Sequence, residues 1–303
     1  MSVGISAEQQ SRGYVLVGIP AYNEEVTIAE VINGAKIHAD EILVVDDGSD
    51  DNTKEQARAA GATVRIHDEN RGYGASLQTI FQYAQNRGVG HLVILDADGQ
   101  HDVNDIPDLV RTQRETDAEI VTGSRFTSGS ISKIPAYRRF GLAVINTLTN
   151  AGLRLGYSYS SVSDSQCGFR AYNTRAIEEL SKTNDIGTGM GASLDILFQA
   201  ARNEYTIVEV PTRINYEVDN ASSQNPIFHG LNLVKSLFSS IIRDRPARVA
   251  SIAGTLLFTV GLFIFALLQL GVAIAVMIPI LITLGLVITL SSRSVTHSDS
   301  TDQ

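Results

Sequence analysis

Over the first part of the chain, short runs rich in Val and Ile at residues 14–19, 41–45, 63–66, 91–95 and 119–121 alternate with longer segments in which apolar residues recur at helical spacing. That alternation predicts an α/β domain, a mostly parallel sheet with helices on both faces. Ligands of such sheets sit beyond the carboxyl ends of the strands. Three of those ends run directly into polar clusters, at 20–25, 46–53 and 96–101, and their shared position predicts one site.

Past Pro226 the pattern changes. Leu231, Val234, Leu237, Phe238, Ile241 and Ile242 fall on one helical face, with Lys235, Arg243, Arg245 and Arg248 flanking it. This predicts an amphipathic helix lying on a membrane surface, with packing against the globular domain as the other reading. Residues 249–292 then contain no charged side chain, enough for two bilayer crossings of roughly 20 residues each. Gly271 divides the stretch into two spans, 249–270 and 272–290. Basic residues before the first span and Arg293 after the second place both ends on the cytoplasmic side; one long tilted helix or a re-entrant pair is the alternative. The expected organisation is a disordered N-terminus over 1–13, a catalytic domain over 14–228, an interfacial helix over 229–246, a transmembrane hairpin over 247–291 and a polar tail over 292–303.

Composition sharpens this picture by exclusion. The 303 residues carry a formal net charge of −9, so no basic surface is at hand to displace counterions from a nucleic acid. Cys167 is the single cysteine, which rules out a disulfide framework and a cysteine-rich metal site. The N-terminus lacks the basic start and apolar run of a secretory signal, and the catalytic part is expected in the cytosol of a multi-pass membrane protein. Asp-rich acidity with more Arg than Lys suits a halophile's solvated surface.

The strand at 91–95 ends in DADGQH, so Asp96 and Asp98 project one residue apart into the ligand crevice. Two carboxylates suit a hard divalent cation, Mg²⁺ or Mn²⁺, whose other ligands are water and diphosphate oxygens. Such an ion would neutralise charge developing on a departing diphosphate. His101 reads as a further ligand, a supporting group or a solvent-exposed side chain. Asp46-Asp47-Gly48-Ser49 reads both as a turn capping the next helix and as an acceptor for a base or ribose. Tyr22 in PAYNEE can stack on a nucleotide, while Asn23 and Glu24 can open a helix. The glycines of Asn70-Arg71-Gly72-Tyr73-Gly74 permit close approach of backbone to phosphate or simply start a helix.

In order along the chain, IPAYNEE, VVDDGSDDNT, NRGYGAS, LDADGQH, GSRF and CGFRAY resemble the family 2 glycosyltransferases, and among them the dolichyl-phosphate mannose and glucose synthases and bacterial polyprenyl-phosphate sugar transferases. The resemblance covers roughly residues 19–172 and implies a GT-A fold. It implies that Pro20, Tyr22, Glu24 and Asp47 hold the nucleoside of a UDP- or GDP-sugar, with Asp96, Ala97, Asp98 and Gln100 around metal and diphosphate, and Asp96, Asp98 and Gln100 as metal ligands. Arg125 and a basic residue of the following helix, Arg138 or Arg139, are expected to meet phosphates, and Asp164 and Arg170 occupy the acceptor-side motif. Arg suits this work because its rigid fork of donors matches phosphate oxygens. Arg138 and Arg139 also precede an apolar stretch, 140–155, suited to rest against a bilayer.

The likeness weakens after Pro211, where the mannose synthases carry an Arg and a Lys and this chain reads NYEVDNASSQ at 215–224; either Arg213 substitutes or the donor is held differently. The implied reaction is inverting transfer of a sugar to dolichyl or another polyprenyl phosphate, whose anionic oxygen attacks the anomeric carbon without a strong general base. The acceptor, the lipid bilayer and possible homo-oligomers are the expected partners. A processive polysaccharide synthase would carry QxxRW, and this chain has no Trp. A dinucleotide oxidoreductase would show GxGxxG after the first strand, which is absent. A silent membrane adaptor of the same fold would have no need of the intact DAD and GFR segments.

Overall fold

The computed structural model describes residues 13–130, 134, 136–157, 159, 161–183, 186–187 and 191–215, together with scattered positions between 251 and 283. The chain divides into two compact units, Met1–Asp244 and Arg245–Gln303.

In the first unit the strands are β1 (Val15–Ala21), β2 (Glu41–Asp46), β3 (Thr63–Ile66), β4 (His91–Ile94), β5 (Ile120–Ser124), β6 (Arg170–Asn173) and β7 (Ile207–Pro211). The helices are α1 (Ile28–Ala35), α2 (Thr53–Ala59), α3 (Tyr73–Arg87), α4 (Ile106–Thr116), α5 (Ala136–Tyr157), α6 (Thr174–Lys182) and α7 (Ala192–Arg202). One sheet orders the strands β3-β2-β1-β4-β6-β5-β7. All pairings are parallel except those of β6, which runs antiparallel to β4 and β5.

Side-chain alternation divides the core. Val15, Val17, Ile19, Ile42, Val44, Val93, Val121 and Ala171 face one side and pack on α1, α2 and α4. Leu16, Leu43, Val45, Leu92, Ile94, Ile120 and Tyr172 face the other and pack on α3, α6 and α7. Every residue of β1 and of β5 is buried, and β1 reads as a continuous apolar run because both faces are covered. The five strands expected from periodicity are present, with β1 and β5 extending two and three residues further than the apolar runs. β6 escaped that pattern because it is four residues long and begins with a charged side chain, Arg170, that is only 1% exposed.

The interfacial helix, the membrane hairpin and the polar termini lie largely outside the described residues. Among the described residues no helix is long and apolar enough to cross a membrane. The described positions of the second unit are helical, and Leu257, Phe258, Leu262, Phe265, Met277, Ile278, Leu281 and Ile282 are each more than half exposed.

Candidate functional site

The carboxyl ends of β1, β2 and β4 open onto a cavity of about 360 Å³, lined by Pro20, Ala21, Tyr22, Glu24, Asp47, Asn70, Gly72, Tyr73, Ser76, Asp96, Ala97, Asp98, Gln166, Gly168 and Ser193. That is the size of a small-molecule site. The three clusters singled out in sequence do converge, and the strap before α3 and the loop before β6 join them.

The first two clusters are knitted together. The Asn23 N–H donates to Ser49 Oγ, Glu24 N–H to Thr53 Oγ1, and Asp50 N–H to Asn23 Oδ1. Asp46 Oδ1 accepts from Ser49 N–H, while Asp51 Oδ1 accepts from the N–H of Thr53, the first residue of α2. Gly48 has φ +73°, and a Cβ there would come within 2.6 Å of the Glu69 backbone; only glycine meets both demands at that turn. Tyr22, 42% exposed, stands at the mouth with its ring available for stacking.

Asp47 is buried and heavily engaged. It accepts from His67 Nδ1 (2.5 Å) and Arg71 N–H (3.1 Å) on Oδ1 and from Gly72 N–H (2.7 Å) on Oδ2. Those two strap amides therefore turn to Asp47 and not outward to a phosphate. Gly74 packs against Gly187, whose carbonyl oxygen would lie 1.7 Å from an added Cβ. Of the two readings of the glycine-rich strap, the helix start is the one built here, with the N–H groups of Ala75 and Ser76 donating to Gly72 O.

Asp96 and Asp98 face the cavity beside Glu24. Burial first, and then the Asp96 carboxylate, raises the carboxyl of Asp98. Burial likewise pushes Glu24 up to about 7; the Thr27 hydroxyl opposes this, while Asp98, Asp96 and Asp51 add to it. Tyr73, whose phenol burial holds well above its ordinary range, donates to Asp96 Oδ1 at 3.3 Å. His101 Nε2 approaches Asp96 Oδ2 at 3.4 Å and its ring lies against Phe169, making His101 a supporting group with 6% of its side chain exposed. Among the described residues no three His, Cys, Asp or Glu side chains form a ready-made metal cage. Two carboxylates with crowded negative charge nonetheless fit a divalent cation completed by diphosphate and water. Gln100 serves through its main chain, its N–H donating to Asp98 Oδ1 and its carbonyl accepting from Asn215 N–H.

The arginines fall elsewhere. Arg125 grips Asp164, itself 1% exposed, through two side-chain bonds of 2.6 Å. Arg170 lies beneath the cavity wall, donating from Nη1 to Ser193 O and from Nη2 to Ser165 O, both at 3.1 Å. Arg138 and Arg139 are exposed at the start of α5. None of the four lines the cavity. Arg213 turns onto Asp105 and Asp102, at 2.6 and 3.2 Å, and so braces the loop after Asp98.

Sequence reasoning passed over the supports of the 162–166 loop. Asn146 and Asn150, one turn apart on α5, bond the backbone of residues 162–165, and Glu209 accepts from the amides of Ser163 and Asp164. Two Asn at i and i+4 inside an otherwise apolar stretch were the available signal. His67 was also missed, although it follows a strand end like the other clusters.

Residues 16–181 match the family model described as glycosyl transferase family 2. The chain is 32% identical over 217 residues to the UDP-N-acetylglucosamine–dolichyl-phosphate N-acetylglucosaminyltransferase of Methanococcus voltae, covering 65% of this chain and 84% of that protein. It is 32% identical over 206 residues to the polyprenol monophosphomannose synthase of Mycolicibacterium smegmatis, covering 65% and 75%. Among solved structures, glucosyl-3-phosphoglycerate synthase from Mycobacterium tuberculosis, in complex with Mn²⁺, UDP and glucosyl-3-phosphoglycerate, shares the fold with a TM-score of 0.58 at 20% identity, over 77% of this chain and 82% of that one.

Proposed function

The chain belongs to glycosyltransferase family 2 and has its GT-A fold, and on that premise we propose that this enzyme transfers a hexose or N-acetylhexosamine from a UDP- or GDP-sugar to a polyprenyl phosphate, dolichyl phosphate in particular. The donor would occupy the cavity, its nucleoside against Tyr22, Asp47 and the 70–73 strap. Asp96 and Asp98 would hold Mg²⁺ or Mn²⁺, which supplies positive charge to the leaving diphosphate.

The observation that carries the lipid acceptor is the orientation of α5. Its polar Asn146 and Asn150 face inward onto the loop that reaches Gln166 of the cavity wall, while Phe140 (74% exposed) and Val144 (42% exposed) face out, one turn apart. Ile145, Leu148 and Leu153 of the same helix also pack inward, so the exposed Phe140 and Val144 form a second apolar surface beyond the one the core uses. An outward apolar face with Arg138 and Arg139 at its start suits a bilayer surface and an anionic lipid headgroup. The exposed apolar helical positions of the second unit support a membrane anchor, and the basic residues that flank the uncharged stretch 249–292 support a multi-pass arrangement with the catalytic unit in the cytoplasm.

In this reaction an oxygen of the acceptor phosphate attacks the anomeric carbon as the bond to the nucleoside diphosphate breaks, giving inversion. The acceptor oxygen is already anionic, so no residue need remove a proton, and catalysis rests on positioning and charge. The relatives' printed names support a polyprenyl phosphate acceptor, and charging such a carrier would serve glycan assembly or protein N-glycosylation.

The test is incubation of the full chain in membranes with labelled UDP-glucose, UDP-N-acetylglucosamine and GDP-mannose in turn, with Mg²⁺ or Mn²⁺. Label from one donor should move into an organic-soluble lipid phosphate. Label found only in polymer, or in no lipid with any donor, overturns the proposal.

A further inference from the structure

We propose that His67 is a positioning residue for the nucleoside end of the cavity: it fixes the Asp47 carboxylate, so that Asp47 anchors the 70–72 strap and presents a single remaining acceptor direction to the ligand. This rests on the donor-site reading above.

An ionised carboxylate offers about four lone-pair directions. In Asp47, which is 3% exposed, His67 Nδ1, Arg71 N–H and Gly72 N–H occupy three of them. Because the carboxylate only accepts, Nδ1 of His67 carries the hydrogen whatever the state of its other nitrogen. That other nitrogen, Nε2, lies 2.9 Å from Thr79 Oγ1 on α3. The His67 main chain is pinned too, its N–H donating to Asp46 O at 2.9 Å. One imidazole therefore links the end of β2 to α3 across the base of the strap, whose Asn70, Gly72 and Tyr73 wall the cavity.

The consequence is one of geometry and selectivity. With His67 in place, Asp47 can accept one N–H or O–H from the nucleoside and cannot rotate to accept two. Without it, Oδ1 loses its shortest partner, the carboxylate gains torsional freedom, and the strap amides follow.

Three substitutions separate this role from simple support of the fold. His67→Asn places an amide N–H close to the position of Nδ1, His67→Gln reaches toward Thr79 only, and His67→Ala removes both contacts. UDP and GDP would be titrated with Mg²⁺ into the full chain in detergent, alongside thermal unfolding and steady-state kinetics. Loss of a hydrogen bond to a charged group predicts affinity roughly tenfold weaker in the Ala and Gln variants, within about threefold of the parent in Asn. Donor KM should rise while kcat holds. Equal affinity in all variants overturns the inference, as does an affinity loss in His67→Asn that matches the other two and tracks Tm. A parent chain that binds neither UDP nor GDP overturns instead the donor-site reading itself.

Discussion

Arg125 and Asp164 meet through two parallel bonds, Nε to Oδ2 and Nη2 to Oδ1, each 2.6 Å, and the Arg125 amide adds a third to Oδ2 at 3.1 Å. Both were expected to face substrate, yet they satisfy one another and lock the loop before β6 to the end of β5. Breaking a buried pair by removing one partner costs about 3–5 kcal/mol. Asp164→Ala should therefore lower stability by an amount of that order in chemical denaturation, with the Arg125 amide losing hydrogen-exchange protection. Unchanged stability would mean that the pair opens readily and that Arg125 is available to a phosphate.

Asp98 supplies one of two carboxylates at the end of β4. Asp98→Asn should leave the fold intact and lower transfer by roughly a hundredfold or more, since the cation's contribution amounts to several kcal/mol. Full metal-dependent activity in that variant would remove Asp98 from the site.

Glu24 gives a pH dependence with a definite sign. Its folded value of about 7 stands above its ordinary 4.5, so between those values the folded chain holds a proton that the unfolded chain has released. The stabilising contribution is complete below about 4.5 and is lost as pH rises through about 7. Glu24→Gln should raise Tm at pH 8 relative to the parent and scarcely change it at pH 4. A parallel shift at both pH values would show that the side chain does not titrate in this range.

A Cβ at residue 168 would stand 2.9 Å from Asp96 Oδ2 and 3.1 Å from the Tyr73 hydroxyl. Both neighbours are side-chain ends that can shift, so Gly168→Ala should displace the Asp96 carboxylate with little effect on Tm. Mn²⁺ affinity, read by calorimetry, should fall by about tenfold, the size of one lost carboxylate–metal alignment.

Arg213 is half exposed, whereas only 6% of the Asp105 side chain is. Arg213→Ala leaves that carboxylate with Thr212 Oγ1 and the residue 213 amide and should cost about 2 kcal/mol, the range for a hydrogen bond to a charged group. Because residues 101, 102 and 100 pair with 214, 213 and 215, the metal concentration for half-maximal activity should rise as well. A stability loss without that rise would confine Arg213 to the scaffold.

Much of this molecule was legible before any coordinates. Val and Ile runs marked β1, β2, β4 and β5, whose strands are almost wholly buried, and also the more exposed edge strand β3, and the clusters around Tyr22, Asp47 and Asp96 announced themselves by following strand ends. What stayed hidden was what long-range pairing decides. Nothing in the sequence shows that Arg125 meets Asp164, 39 positions later. That Arg170, in the acceptor-side motif, is enclosed by the carbonyl oxygens of Ser193 and Ser165 is likewise set by the fold. Asn146 and Asn150 interrupt an apolar stretch for a reason visible only once the 162–165 backbone lies against them.

The reversed strand β6 carries a consequence for the order in which the molecule can be made. Among the described strands, β5 is bonded only to β6 and β7, both later in the chain, and β4 has β6 as its outer neighbour. A nascent chain that has emerged only to residue 160 can pair β3, β2, β1 and β4, but it leaves β5 without a neighbour and the β4 edge open. Gln166 and Gly168, which complete the cavity beside Asp96, arrive with the same stretch that closes that edge. During synthesis, the side of the cavity formed by Gln166 and Gly168 and the gap between β4 and β5 are thus closed by one stretch of chain, and an unfinished chain exposes the β4 edge until that stretch is in place.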